Sequence, residues 1–272
     1  MNMALAHSKQ LCTLLLSSAL GLAATLPAFS MADNRQNDIL NRHELRTCIW
    51  PQYYSISYSN PKTGELEGID IDLAHEFASR LGVTVQFVPS SHAEFAHDLS
   101  EDRCDIAMFG IAITPARQQQ VDFSQPYLAS AMYAAVRNRN SRISVWQDMD
   151  QPGNLVIVQQ GTFFENLMKQ QLQQAKLVIV SQPQEREAWL KAGRGDAFLT
   201  DFPYGKRLIR ENDWISLLRA PDDSPRFQYA YAIAKDQPSW LAAINQFVSD
   251  MKSSGKLRQL AEKHGLEPML IP

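Results

Sequence analysis

Two hydropathy patterns, one typical of buried strands and one typical of amphipathic helices, follow each other along this chain, and their order occurs twice. In the first half they predict strands and helices in the order strand 45–50, helix 71–81, strand 83–88, helix 92–99 and strand 105–109. In the second half they predict strand 154–158, helix 163–175, strand 177–180, helix 184–192 and strand 196–200. Two βαβαβ units predict an α/β protein with two open, mainly parallel sheets, each flanked by helices.

Extended apolar stretches follow each of the two units, and they predict how the units are joined. We expect two lobes connected by two hinge segments, with the amphipathic helix that begins near Trp240 packing on the first lobe. The predicted divisions are a first lobe of residues 45–130 plus 234–267, a second lobe of residues 137–218, and hinge segments 131–136 and 219–233. In such sheets ligands bind beyond the carboxyl ends of the strands, so function is expected between the lobes.

The N-terminal residues have the pattern of a secretory signal peptide. A weakly positive start leads into an apolar run that ends near Pro27, and small residues follow before a polar stretch begins at Asp33. We therefore expect residues 1–32 to be a cleaved leader, residues 33–44 to be an N-terminal extension, and the mature protein to be periplasmic.

Charge and composition exclude some partners. The chain has 26 Lys and Arg against 29 Asp and Glu, a net charge of −3, with 45% hydrophobic residues. A mildly acidic chain of ordinary apolar content without a long basic run is expected to fold and not to bind nucleic acid.

Two cysteines remain outside the leader, Cys48 and Cys104. An exported protein can pair them. However, Cys48 lies inside one predicted strand and Cys104 begins another, so parallel neighbours would place them ~10 Å apart. A disulfide needs Cα atoms within ~7 Å. The sequence thus favours two free, buried thiols.

Polar residues after three predicted strands form a candidate binding site. Arg117 stands where a loop enters a helix, and a guanidinium there can grip a carboxylate through two parallel hydrogen bonds. Thr162 follows Gly161 at another helix start and can bind an anion, while Asp201 can accept from an ammonium group. Together, Arg117 and Asp201 suit the two charged groups of a free amino acid.

Motifs for other chemistries are missing from the sequence. There is no Gly-x-Ser-x-Gly elbow, no phosphate-binding loop, and no histidine or cysteine spacing typical of a metal site. We therefore expect no metal and no cofactor.

Several motifs in order make the chain similar to a known family. They are Gly68-Ile-Asp-Ile-Asp-Leu-Ala74, Ile113-Thr-Pro-Ala-Arg117, Val121-Asp-Phe-Ser-Gln-Pro-Tyr127, Gln160-Gly-Thr162 and Gly195-Asp-Ala-Phe-Leu-Thr-Asp201. They resemble the family 3 periplasmic solute-binding proteins, whose fold is the two-lobed type II periplasmic-binding-protein fold and whose known members bind polar amino acids for ABC importers.

The resemblance implies roles for individual residues. Arg117 would take the α-carboxylate of the ligand and Asp201 its α-ammonium group, while Tyr53 would cover the ligand and His92 would line the space for its side chain. It also implies an inner-membrane ABC permease as partner and a monomeric protein.

Departures from the family pattern predict a modified pocket. Trp50 stands where binders of basic amino acids have an acid, so a lysine or arginine ligand is disfavoured. Phe109 and Ala112 replace residues that commonly carry hydroxyls, and Phe163 and Phe164 follow the Gly-Thr pair. We expect a smaller or more apolar pocket than that of a glutamine binder.

Two alternatives remain open. The chain also resembles cyclohexadienyl dehydratase, an exported enzyme that needs a general acid, and Glu165 is the candidate for that role. In the enzyme the acid lies one position nearer to the Gly-Thr pair, where this chain has Phe164, so Glu165 is better suited to cap its helix. A ligand-sensing protein that signals to a partner is the other alternative.

Overall fold

The computed structural model describes residues 34–140 and 142–271. The proposed leader lies outside these residues. The helices are α1 (Arg35–Arg42), α2 (Ile69–Leu81), α3 (Phe95–Ser100), α4 (Pro115–Gln118), α5 (Phe163–Gln171), α6 (Pro183–Lys191), α7 (Phe202–Glu211), α8 (Pro238–Ser253) and α9 (Lys256–His264).

Fourteen strands occur in the described residues. They are β1 (Glu44–Ile49), β2 (Gln52–Tyr53), β3 (Ser57–Ser59), β4 (Leu66–Glu67), β5 (Thr84–Pro89), β6 (Ile106–Ala112), β7 (Val121–Phe123), β8 (Leu128–Ser130), β9 (Tyr133–Arg137), β10 (Leu155–Gln159), β11 (Lys176–Val180), β12 (Ala197–Thr200), β13 (Ile215–Arg219) and β14 (Phe227–Ala234).

Two sheets form the centres of two lobes. The first lobe contains a six-stranded sheet in the order β5-β1-β6-β14-β7, with β8 also paired to β14, and the second contains a five-stranded sheet in the order β11-β10-β12-β9-β13. In each sheet the three strands of a βαβαβ unit are parallel and the added strands are antiparallel. The predicted two-lobed α/β fold is confirmed. A small sheet, β2-β3-β4, follows β1.

The chain crosses between the sheets twice, after β8 and after β13. The two crossings touch, since the backbone N–H of Ala220 donates to the carbonyl oxygen of Met132 at 2.9 Å. Part of each predicted hinge segment forms a strand: β9 belongs to the second sheet and β14 to the first. The exact lobe and hinge limits stay a prediction.

Helix α8 buries the apolar stripe that the sequence predicts. Trp240, Ile244 and Phe247 are inaccessible or nearly so, and the rings of Trp240 and Phe247 stack on Phe77 of α2 at centroid distances of 5.4 and 4.5 Å. Since α2 packs on the first sheet, α8 completes the first lobe, as expected. No helix among residues 34–140 and 142–271 is long and apolar enough to cross a bilayer.

The expectation of two free thiols is wrong: Cys48 and Cys104 form a disulfide with a Cα–Cα distance of 5.6 Å. Along the paired strands Cys104 does lie three residues before the residue that is in register with Cys48, which is Ala107. However, strand β6 begins only at Ile106. The residues before it leave the strand direction, and Asp105 N–H donates to Arg46 O of β1 at 2.8 Å, which brings Cys104 back beside β1.

Asp70 and Asp72 lie at the start of α2, where the sequence suggests that one of them caps the helix, but neither does so. The N-cap is Gly68, at φ 136°, where an added Cβ would lie 2.3 Å from the carbonyl oxygen of Ile56, so only glycine fits. Asp70 is instead fully buried, and Asp72 pairs with Lys263 and His264. The predicted helix end is confirmed, since Gly82 is left-handed and donates to Ala78 O.

Candidate functional site

A cavity of about 420 Å³ lies between the lobes, where the carboxyl ends of the strands meet. Seven of the eight residues predicted for the site line it: Trp50, Tyr53, His92, Ala112, Arg117, Thr162 and Asp201.

Phe109, the eighth, does not line the cavity. It is fully buried, and its ring packs against those of His92 and Phe95 at 5.1 and 5.9 Å. Strand alternation explains the difference, because Phe109 faces the opposite side of β6 from Gly110, which does line the cavity. The contribution of Phe109 is therefore to support His92 from behind.

An aromatic wall covers the first-lobe side of the cavity. The rings of Trp50, Tyr53 and His92 contact each other at centroid distances of 5.0 to 5.9 Å. Burial lowers the pKa of His92 well below its ordinary value, and the nearby Arg117 and Arg186 lower it further. His92 is therefore neutral, and its Nδ1 has no hydrogen-bond partner among the described residues.

Arg117 enters the cavity from α4 of the first lobe. Its backbone N–H is fixed by the Thr114 hydroxyl, and its guanidinium donates to Ala112 O at 2.7 Å and, across the cavity, to Gly161 O at 2.9 Å. Burial lowers the pKa of Arg117 to about 10. Among the described residues it forms no ion pair with a carboxylate, and three of its five N–H donors stay available.

Asp201 lines the cavity from the second lobe, at the start of α7. It accepts hydrogen bonds from the hydroxyls of Tyr53 and Tyr229, which belong to the first lobe, and from the backbone N–H of Tyr204. Burial raises the pKa of Asp201 above its ordinary value and outweighs the hydrogen bonds, which lower it. Since a carboxylate has about four acceptor positions, one remains for a further donor.

Thr162 and Glu165 shape the second-lobe loop. The Thr162 hydroxyl lines the cavity and donates to Gln159 O at 2.7 Å. Glu165 does not line the cavity: it accepts from the Gly161 backbone N–H and from Lys169, each at 2.6 Å. Glu165 therefore supports the turn before α5, as expected for a helix-capping residue.

The lobes meet closely at Gly161, which has φ +75°. An added Cβ there would lie 2.7 Å from the backbone N and Cα of Ala93 in the first lobe. Together with the contacts of Arg117 and Asp201 across the cavity, this close approach describes a closed clamp.

Sequence reasoning missed several lining residues, among them Gln159, Arg186, Tyr204, Phe227 and Tyr229. Arg186 could have been found from the sequence, because it lies on the buried face of α6 with Pro183 and Leu190. A charged residue at such a position is rare unless it is paired or functional. No sequence pattern indicated Tyr229, since it lies in the predicted hinge segment 219–233.

No group of three or more potential metal ligands occurs in the described part of the chain. The cavity offers two guanidinium groups, one carboxylate, a neutral imidazole and aromatic surfaces. This combination is suited to binding a small, charged organic molecule.

Comparisons with known proteins agree with this architecture. The family model for bacterial extracellular solute-binding proteins, family 3, matches residues 45–267. The chain belongs to this family. Among curated relatives, cyclohexadienyl dehydratase of Pseudomonas aeruginosa is 28% identical over 255 residues, covering 93% of this chain and 94% of that one.

Another relative is the L-cystine-binding protein TcyJ of Escherichia coli, 27% identical over 247 residues, which cover 90% of this chain and 91% of that one. A similar solved structure is the ancestral amino acid-binding protein AncCDT-1, a precursor of cyclohexadienyl dehydratase. It has a TM-score of 0.77 and 31% identity, covering 84% of this chain and 98% of the other. Binding proteins and an enzyme thus share this fold.

Proposed function

We propose that this protein is a periplasmic binding protein that closes its two lobes around an amino acid and delivers it, as a monomer, to an ABC permease of the inner membrane. The observation that carries the proposal is that Arg117 and Asp201 line one cavity from opposite lobes. The Arg117 guanidinium is buried without a carboxylate partner in the described residues, and a buried unpaired charge is costly unless a ligand pairs it.

The geometry gives each charged group a role. Arg117 would hold the α-carboxylate through its available donors, and Asp201 would accept from the α-ammonium at its remaining position. Because the two groups belong to different lobes, a bound amino acid links the lobes. Ligand then favours the closed state over the open state by its difference in affinity for the two.

The enzyme alternative receives less support from the cavity. A dehydratase needs a carboxyl group that gives a proton to a leaving hydroxyl. Glu165, the candidate acid, lies outside the cavity and holds a backbone N–H. Among the described residues the carboxylate that lines the cavity is Asp201. It accepts three hydrogen bonds, which favour its charged form, although burial has the larger effect and raises its pKa.

The test is thermal denaturation of the purified protein with each of the twenty amino acids, with prephenate and with arogenate. A ligand at 100 times its Kd stabilises a protein by ~2.7 kcal/mol, which gives a clear shift of the melting temperature. We expect a shift with one or a few amino acids that disappears in Arg117→Ala and in Asp201→Ala.

Arg219→Ala is the matched control, because Arg219 pairs only with the exposed Asp222 in the described chain and lies away from the cavity. It should keep the shift. Conversion of prephenate to phenylpyruvate by the wild-type protein would instead establish the lyase. A shift that survives both cavity substitutions would contradict the proposed roles of Arg117 and Asp201.

A further inference from the structure

The cavity contains one positive charge more than a neutral amino acid can balance. Of the residues that the structure describes, two with guanidinium groups line it, Arg117 and Arg186, against one with a carboxylate, Asp201. His92 is neutral and adds nothing to this balance. A zwitterionic ligand pairs its carboxylate with one arginine and its ammonium with Asp201, which leaves a second guanidinium desolvated without a counter-ion.

Arg186 is built into the second lobe as a fixed donor. It lies in the first turn of α6, only 4% exposed, and donates through Nε to Pro183 O at 3.4 Å and through Nη1 to Leu199 O at 3.1 Å. Its guanidinium lies over the rings of Tyr204 and Phe198 at 4.6 and 5.3 Å. These contacts fix the planar group, so little side-chain freedom is lost when a ligand binds.

Arg186 also makes no ion pair in the described chain, although its charge acts on the nearby Asp201 and counters the rise in the pKa of that carboxyl. Within residues 34–140 and 142–271 it has no carboxylate within 4.0 Å, and its Nη2 makes no hydrogen bond. A merely structural residue in this stripe would be apolar, because packing alone does not require a desolvated charge.

A second unpartnered polar atom indicates that the cavity takes a polar ligand there. The side-chain Oε1 of Gln159, at the end of β10, is buried without a hydrogen-bond donor among the described residues and lines the same cavity. Leaving a buried acceptor without a partner is costly, so a donor group of the ligand, which in an acidic amino acid is its ammonium group, is expected beside it.

We propose that Arg186 binds a second anionic group of the ligand, so that the solute is an amino acid with an acidic side chain or an amino-acid-like dicarboxylate. This inference rests on the proposed function and specifies its ligand class. Arg117 then holds the α-carboxylate, Asp201 the ammonium group, and Arg186 the distal carboxylate, each charge of the ligand meeting its opposite.

The experiment measures Kd by isothermal titration calorimetry for ligands that differ by one group. L-Glutamate and L-aspartate have both carboxylates and the amine, L-glutamine and L-asparagine lack the second carboxylate, and 2-oxoglutarate lacks the amine. Arogenate and prephenate form a bulkier pair with and without the amine. The proteins are wild type, Arg186→Met, and the matched control Arg207→Met.

Arg207 is a suitable control because it lies over the same Tyr204 ring at 4.7 Å but is paired with Glu187 at 2.9 Å and does not line the cavity. In wild type and in Arg207→Met we expect an acid to bind at least about tenfold more tightly than its amide, as charge-assisted hydrogen bonds require. In Arg186→Met the ratio of the amide's Kd to the acid's Kd should fall to about one or below.

If Arg186→Met does not fold, Arg186→Lys takes its place. Lysine keeps the positive charge but lacks the planar guanidinium group, so the preference for the acid over the amide should shrink severalfold. Amides that bind wild type as tightly as acids, or an acid preference that survives loss of Arg186, would overturn the inference and leave the proposed function intact. Binding of 2-oxoglutarate or prephenate alone, dependent on Arg186, would support the anion site and refute amino-acid binding. Absence of binding by every probe would refute the inference, while the proposed function would still be decided by the thermal shifts with the other amino acids.

Discussion

Two groups of arginines in this protein have opposite surroundings. The first, here called the N-terminal arginine cluster, joins α1, β1 and the loop before β6, and consists of Arg35, Arg42, Arg46, Asp102 and Asp105. The second consists of the cavity arginines, Arg117 and Arg186, which have no carboxylate partner among the described residues.

The difference is one of internal balance. In the N-terminal arginine cluster, the fully buried carboxylate of Asp105 accepts from all three arginines, so the charges are satisfied by the chain itself. In the cavity, carbonyl oxygens and aromatic rings orient the guanidinium groups without neutralising them. Arginines that are paired with a carboxylate of the chain stabilise the folded state. Buried arginines without such a partner can instead pair with an anionic group of a ligand.

The largest effect is expected from breaking the paired cluster. Asp105→Asn removes the charge on which three guanidinium groups converge, and losing one partner of a buried ion pair costs about 3–5 kcal/mol. The free energy of unfolding from urea titrations should fall by that amount, while ligand affinity stays unchanged. Asp102→Asn is the control, since the Asp102 side chain is 60% exposed and exposed pairs contribute below about 1 kcal/mol. Equal losses in both variants would contradict this interpretation.

The disulfide tests the same region by another route. Cys48 and Cys104 are separated by 56 residues, and Cys104 precedes Asp105. Reduction should lower the free energy of unfolding by about 2–4 kcal/mol, because the unfolded chain regains the freedom of that loop. The measurement is urea unfolding with and without a thiol reductant. The Cys48→Ala, Cys104→Ala double variant should be insensitive to the reductant, and an insensitive wild type would refute the bridge.

Asp70 is an intermediate case, a buried carboxylate satisfied by neutral donors. It accepts from Gly110 N–H and the Tyr127 hydroxyl at 2.8 and 2.6 Å, and burial raises its pKa to about 7 despite these hydrogen bonds. The folded state therefore binds this proton more tightly than the unfolded state. The stability that Asp70 contributes is present at low pH and is lost as the pH rises through about 7.

Between pH 5 and pH 8, this loss should reduce the free energy of unfolding by about 2.7 kcal/mol, because the two pH units from 5 to 7 each contribute about 1.4 kcal/mol. In Asp70→Asn that part of the pH dependence should vanish, as measured by urea unfolding at both values. Asp72→Asn is the control: hydrogen bonds and charges of Lys263 and His264 together outweigh burial and lower the Asp72 pKa from 3.8, so its stabilising effect is lost only as the pH falls below that value, outside the range measured. Identical slopes in wild type and Asp70→Asn would show that Asp70 does not titrate as described.

The smallest stability effect is expected at the cavity. Arg117→Met removes a desolvated charge and two hydrogen bonds to carbonyl oxygens, and these contributions oppose each other. The free energy of unfolding without ligand should stay within about 1 kcal/mol of wild type. Ligand-dependent stabilisation should disappear in the same variant. A loss of unfolding free energy as large as that of Asp105→Asn would show that Arg117 stabilises the fold itself. It would contradict the distinction between the two groups of arginines.

Much of the fold could be predicted because it depends on local periodicity. The strand and helix order of both βαβαβ units, the end of α2 at Gly82 and the buried stripe of α8 follow from residues close together in the chain. The positions of Arg117, Thr162 and Asp201 beyond strand ends were accessible for the same reason: once a strand is placed, the residue that follows it must lie at the edge of the sheet.

The remaining features depend on how distant segments meet, which local patterns do not encode. The disulfide forms because the residues before β6 bend back to β1, Phe109 lies behind His92 because the strand alternates about Gly110, and Tyr229 reaches Asp201 because β14 joins the first sheet. Sequence by itself determined the two-lobed fold and several polar groups at its strand ends. Only the tertiary structure decided which charges are paired and which stay unpaired, because that balance depends on distances between residues far apart in the chain.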